Sequence, residues 1–422
     1  MKLRILFHEQ ACGWLQIDNE RMQFQYDGSY VDAQQAPISV TMPLRKEAWP
    51  DAKTFPFFEN LLPEGQVRHL LAEALQTADN NFERLLLETG GDVAGAISIL
   101  PAEQSTHAAT EPVPLPPALS ELELGQCLKQ IETRPFLPQQ TQGMRLSLAG
   151  AQNKLPVVLD AQGGVHLPGQ HASTHIIKPP NARFADLVEN EYLCMRAAAR
   201  AGLQVPAVQL RNFVTGSGEQ HDCYVITRYD REERDGYTRR LHQEDMCQIL
   251  GLPSARKYVQ DGGPGFRELF EVLRQHTRPA AVQQQELIHR ILFNLLIGNQ
   301  DAHGKNFALL HRHTSIVLTP AYDLVSTLVY PELSREFAMP IGRARTVEEL
   351  DAEALKAFQE MAGVNLKRQA GRLQQFLTRA LHALEDEAAA VREEVWPGSE
   401  ATLQEIVRRA SHHTELLKRW LD

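Results

Sequence analysis

Asp301 and Asn306 stand with four residues between them in the stretch IGNQDAHGKNF, directly after the strongly apolar run ELIHRILFNLLIG. Phosphoryl transfer of the kinase type needs such a pair. One carboxylate accepts the proton of the attacking hydroxyl, and a side-chain oxygen a few residues on holds Mg²⁺. The spacing alone is common, and a polar loop closing a helix shows it too. Asp323, in LTPAYDLVST, follows the β-like run SIVLTP, which itself follows NFALLHRH. If these runs form a hairpin, the chain returns to the Asp301 loop and Asp323 faces the same metal as Asn306. Otherwise Asp323 caps the next helix. Two oxygen ligands plus phosphates suit Mg²⁺, which keeps several of its waters.

Lys178 ends the apolar run STHIIKPP. A lysine on a strand lining a cleft neutralises nucleotide phosphates; a solvated strand end is the plainer alternative. Glu189 and Glu191, on the helical stretch that follows, both stand where they could pair with it. The stretch SLAGAQNKL, residues 147–155, supplies small residues, Ala149, Gly150 and Ala151, whose backbone N–H groups can approach an anion, and Lys154 adds positive charge. It matches neither G-x-x-x-x-G-K-[ST] nor G-x-G-x-x-G, so by motif alone it reads as a hairpin. His303 braces the Asp301 loop, while His311 and His313 are expected on a hairpin surface, without the second cluster a metal site needs. DGGPG, residues 261–265, reads as a flexible loop entering a helix. Lys367, Arg368, Arg372 and Arg379 form a basic helix face, solvated or touching phosphates.

The elements that must position these residues fall into a pattern. The first hundred residues mix β-like runs (KLRILF, ISVTM, GAISIL) with helical ones (GQVRHLLAEALQ, NNFERLLLETG), an α+β domain assigned to residues 1–105. A Pro/Ala/Ser/Thr-rich connector occupies 106–118. Residues 119–238 read as a β-rich lobe with one helix, ENEYLCMRAAARAGL, stopped by Gly202, and residues 239–422 as an almost wholly helical lobe. Ser399 is the expected N-cap of the last helix. A cleft between the two lobes is where the chemistry should sit.

Composition narrows the class. The chain has 422 residues, 43% hydrophobic and 23% charged, enough for two or three domains. A formal charge of -10 argues against a large autonomous nucleic-acid surface. Five cysteines without a C-x-x-C pair indicate neither a disulfide framework nor a thiolate zinc site, which fits a reducing cytoplasm. The apolar start breaks at His8 and Glu9, too early for a signal peptide, and no run is long enough to cross a membrane.

SLAGAQNKL, HIIKPP, ENEYLCMRAAARAGLQVP, RYDR, QEDMCQILGLPSARKYVQDGGPG, IGNQDAHGKNF and LTPAYDLVST occur in this order, and TMPL and FFENLLPEG precede them. Together they resemble the HipA-type serine/threonine kinase toxins of bacterial type II toxin–antitoxin modules, over nearly the whole chain. The resemblance implies an α+β, protein-kinase-like two-lobed fold behind a family-specific domain, using ATP and Mg²⁺. It implies that Asp301 is the catalytic base and that Asn306 and Asp323 are metal ligands. Ala149, Gly150, Ala151, Gln152, Asn153, Lys154 and Lys178 would contact phosphates. Thr227, Arg228 and Tyr229 would lie at the adenine, and His303, Gly304, Lys305, Asn306, Tyr322 and Asp323 beside the nucleotide. Ser147 aligns with the autophosphorylated serine, and a phosphate there would repel the nucleotide and inactivate the kinase. The implied substrate is an aminoacyl-tRNA synthetase, glutamyl-tRNA synthetase foremost. The implied partner is a HipB-type helix-turn-helix antitoxin that carries the kinase to operator DNA. A small-molecule phosphotransferase of the aminoglycoside or choline type, and a catalytically silent co-repressor, are the competing readings.

Overall fold

The computed structural model describes residues 1–103, 114–135, 152–214, 218, 220–234, 237–394 and 398–422. Strands β1 (Lys2–Phe7), β2 (Gln10–Asp18) and β3 (Arg21–Tyr26) are joined by two-residue turns in which His8 and Glu9, then Asn19 and Glu20, take positive φ. That geometry matches the twist of antiparallel neighbours. β4 (Ile97–Pro101) completes the sheet, ordered β3-β2-β1-β4. Side chains on β3 alternate, so Met22, Phe24 and Tyr26 all point inward, where Phe57 and Phe58 of the Asp51–Glu59 helix meet them. The run ISVTM, expected as a strand, forms none. Its peptide groups bond instead to distant side chains: Val40 N–H donates to Glu244, and the Ile38 carbonyl accepts from His242.

The Glu121–Gln130 helix opens on a capping box between Ser120 and Glu123. It lays Leu124, Cys127 and Leu128 on one face of an antiparallel sheet. That sheet contains β5 (Leu155–Leu159), β6 (Val165–His166), β7 (His175–Lys178), β8 (Val208–Val214) and β9 (Gln220–Thr227), in the order β6-β5-β7-β9-β8. Alternation sends Ile177 and Val225 to that helix, and Ile176, Tyr224 and Ile226 to the opposite face. Against this second face packs the Leu187–Ala201 helix, ended by Gly202 at φ 97.

The rest is mainly helical, with exceptions. β10 (Arg231–Arg234) and β11 (Tyr237–Arg240) form a hairpin, and β12 (His242–Asp245) pairs with β13 (Ala308–His311), which pairs with β14 (Ile316–Leu318). β12 corrects the expectation of a helical start after His242. It escaped periodicity because its partner strand lies far along the chain. The Ala280–Ile297 helix runs through the largest core, burying Leu287, Ile291 and Phe293, and stops at Gly298 with φ 70. The last helix, Glu400–Leu421, follows Ser399 as expected, yet the serine hydroxyl makes no cap bond. All five cysteines are buried and unpaired. Among the described residues, no helix is long and apolar enough to cross a membrane.

Candidate active site

β7 ends on Lys178, whose Nζ lies 2.8 and 3.0 Å from the two Glu191 oxygens and 2.8 Å from Asp323 Oδ1. Helical spacing puts Glu191 on the buried face with Val188 and Met195, which is why it, and not Glu189, meets the lysine. Across the ladder, Lys178 faces Tyr224, with its ammonium 5.6 Å from the ring centroid. Burial opposes the lysine's charge, but Asp323 and Glu191 outweigh it and hold the group above the ordinary lysine range. Lost hydration likewise pushes Asp323 up, yet Lys178 and then Lys154 bring it down to about 2. Asp323 adopts φ 52, a left-handed conformation that strains a residue with a Cβ.

Asn299 ties the two acidic loops together. Its Oδ1 accepts the Asp301 N–H at 3.1 Å, and its Nδ2 donates to the Asp323 carbonyl at 3.3 Å. Asp301 is exposed, with one oxygen accepting the Tyr258 hydroxyl at 2.6 Å. Neither Tyr258 nor Asn299 stood out in the sequence; both lie inside the quoted segments, but their roles depend on contacts between loops. His303 is pushed down to about 4, mainly by burial against the opposing pull of Asp301, and packs edge-on to Tyr258 at 5.0 Å. Asn306 Oδ1 accepts the His303 N–H at 3.2 Å, which leaves a second lone pair on that oxygen.

Lys178, Glu191, Asn299, Asp301, His303, Asn306 and Asp323 line a cavity of about 370 Å³, together with Gln152, Lys154, Thr227, Arg228, Tyr229, Lys305 and Tyr322. Its size is in the range of small-ligand sites. Lys154 is brought down to about 8 by burial and then by Lys178. Gln152 Nε2 and Asn153 Oδ1 are buried without hydrogen-bond partners among the described residues. Tyr229 stacks on Tyr322 at 5.6 Å and bonds Gln243. Gly304 turns away: a Cβ there would strike Pro264 and Cys247, in the turn and helix preceding it in sequence. Ser147, Ala149, Gly150 and Ala151 lie outside the described residues.

Asn60, Leu61, Glu64 and Ala94 bring the N-terminal domain to the cavity wall, which the sequence had not foreshadowed. Lys305 Nζ lies 2.6 Å from both Asp245 Oδ2 and Asn60 Oδ1, so its charge serves the join between domains. Lys257 reaches Glu64 at 2.7 Å. Arg228 pairs with Asp230 at 2.8 Å, Arg231 with Asp92 at 2.6 Å, and Arg240 donates to the carbonyls of Gly91, Val93, Gly95 and Ile97.

Residues 3–100 match the HipA N-terminal domain, and residues 146–394 match the HipA-like C-terminal domain. The chain belongs to the HipA family of kinase toxins. It is 31% identical over 381 residues to the serine/threonine-protein kinase toxin HipA of Shewanella oneidensis, covering 84% of each. It is 42% identical over 347 residues to the Sinorhizobium fredii protein Y4mE, covering 81% of each. Its backbone superimposes on HipA from the Shewanella oneidensis complex of HipA, HipB and operator DNA with a TM-score of 0.79, at 27% identity, covering 99% of this chain and 96% of that one. The HipA-type fold is thus α+β and kinase-like.

Proposed function

We propose that the chain is an ATP- and Mg²⁺-dependent serine/threonine-protein kinase and the toxin of a toxin–antitoxin module. The reading rests on one observation: the Lys178–Glu191 pair, Asp301, Asn306 and Asp323 border a single cavity in a HipA-family chain. In this reading residues 1–105 are the family-specific domain and 106–118 the linker, with a strand-rich lobe at 119–238 and a helical lobe at 239–422. Lys178 and Lys154 hold the nucleotide's phosphates, and Gln152 offers them a buried, unpartnered N–H₂ group. Thr227, Arg228, Tyr229 and Tyr322 hold the base. The oxygens of Asn306 and Asp323 are hard donors that fit Mg²⁺, which when bound neutralises charge developing on the β and γ phosphates. Asp301 accepts the proton of a serine or threonine hydroxyl as its oxygen bonds to the γ phosphorus and the β–γ bridging oxygen leaves with ADP. Asn299 and Tyr258 position that carboxylate.

The family reading extends to an aminoacyl-tRNA synthetase as substrate, glutamyl-tRNA synthetase first, so that phosphorylation slows translation and growth in the cytoplasm. It extends to a HipB-type antitoxin that brings the chain to operator DNA, supplying the positive charge that an acidic toxin lacks. It also extends to Ser147, whose phosphate repels nucleotide and switches the kinase off. The test is incubation with γ-labelled ATP, Mg²⁺ and, separately, glutamyl-tRNA synthetase, whole-cell lysate, aminoglycosides and choline. Label on a protein that disappears in Asp323→Ala supports the kinase. Label only on a small molecule moves the chain to the phosphotransferases. No Asp323-dependent label anywhere leaves a silent co-repressor. Full activity of a chain stoichiometrically phosphorylated on Ser147 refutes the off-switch.

A further inference from the structure

Where β12 and β13 meet the N-terminal domain, His242, Glu244 and His311 stand together, each with a ligand atom within 4.8 Å of the other two. Strand register brings this about. His242 pairs with His311 across the ladder, and Glu244 is two residues on, so all three share a face. Glu244 is 0% and His242 1% exposed. Each has one atom fixed by N-terminal backbone: Val40 N–H donates to Glu244 Oε1 at 3.0 Å, and His242 Nε2 donates to the Ile38 carbonyl at 2.8 Å. Each also keeps one atom unused, since Glu244 Oε2 and His242 Nδ1 are buried without hydrogen-bond partners among the described residues. His311 Nε2 lies 2.9 Å from Glu244 Oε1.

A carboxylate oxygen withdrawn from water with no partner is costly unless a cation neutralises it. Metal-binding imidazoles and carboxylates commonly have their second atom tied down in this way, which sets tautomer and direction. Two imidazoles and a carboxylate make a nitrogen and oxygen donor set that suits zinc and leaves a fourth position open. His313, beside His311 in sequence, is exposed and takes no part.

We propose that His242, Glu244 and His311 bind a divalent transition metal of the zinc class at the junction of the N-terminal domain with the rest of the chain. The ion fastens the run at residues 38–40 to β12 and β13 through the bonds its ligands already make. The site is separate from the Mg²⁺ pair, Asn306 and Asp323. The alternative is the direct Glu244–His311 contact with no metal, and the same experiment decides between them.

The full chain, stripped with a chelator and returned to buffer, is titrated with zinc chloride against a chromophoric chelator, and its thermal unfolding is followed with and without zinc. The expected result is stoichiometric binding by the wild type and by Asp323→Ala. Binding should be about tenfold or more weaker in Glu244→Gln and His311→Ala. Zinc should raise the unfolding midpoint of the wild type and leave that of Glu244→Gln unmoved. Absence of stoichiometric zinc in the wild type overturns the proposal, as does full retention by both variants. If Glu244→Gln does not fold, His311→Ala and the wild-type titration still decide, because the His311 side chain is 18% exposed.

Discussion

Lys154 is the ionisable group at the cavity whose charge is most easily lost. Its folded value of about 8 lies below the free-lysine value of 10.5, so the buried charge opposes folding fully below pH 8, and that opposition is relieved as pH rises from about 8 to 10.5. In the proposed function a polyphosphate beside it would favour the protonated form, so nucleotide binding would take up a proton above pH 8. Nucleotide affinity should therefore fall as pH rises through 8, by up to about tenfold per unit, and calorimetric titration of Lys154→Met should show a flatter profile. Asp301 gives a contrasting expectation because it is exposed. Asp301→Asn should change stability by no more than about 0.5 kcal/mol and keep nucleotide binding, while single-turnover transfer drops roughly 10²–10⁴-fold. The types and order of Lys178, Asp301, Asn306 and Asp323 were readable from the sequence. The choice of Glu191 over Glu189 was not, because only the packed face of a helix decides it. Asn299 was unreadable for a related reason: its two bonds join loops that meet only in three dimensions.

Elements that obey their own periodicity were the legible ones. The Leu187–Ala201 helix, its glycine stop and the β13–β14 hairpin all stand where spacing puts them. What escaped were elements defined by distant partners. The ISVTM run has strand-like composition, but side chains from β12 take the peptide groups that a strand would use. The His8-Glu9 pair, which breaks the apolar start, is a hairpin turn without the usual Asn-Gly. The same dependence on distant partners governs the loop between the Phe82–Thr89 helix and β4. Asp92 is buried and held down to about 2, where lost hydration opposes and Arg231 and Arg228 prevail. It therefore contributes stability that is present above the unfolded carboxylate value and lost as pH falls through about 2. Asp92→Ala leaves arginines buried with less countercharge. Urea unfolding at neutral pH should show a loss of about 3–5 kcal/mol.

At the scale of the whole molecule, the domains are joined by buried polar groups. Lys305, Glu64, the arginines behind β10 and β11, and Glu244 all depend on partners across the junction. Separating the parts would expose these groups unpaired, so the full chain should unfold in one step. Differential scanning calorimetry should give a single transition with calorimetric and van't Hoff enthalpies in agreement, and two resolved transitions would refute the coupling. Arg240 shows what such a junction selects. Its guanidinium donates to alternate carbonyls of the segment that leads into β4, those of residues 91, 93, 95 and 97, and so touches main chain that every amino acid shares. The arginine also donates to the Ser98 hydroxyl at 2.6 Å, but most of its bonds go to main chain and so measure the length and path of the segment. Adding or removing one residue there throws every carbonyl after it out of step.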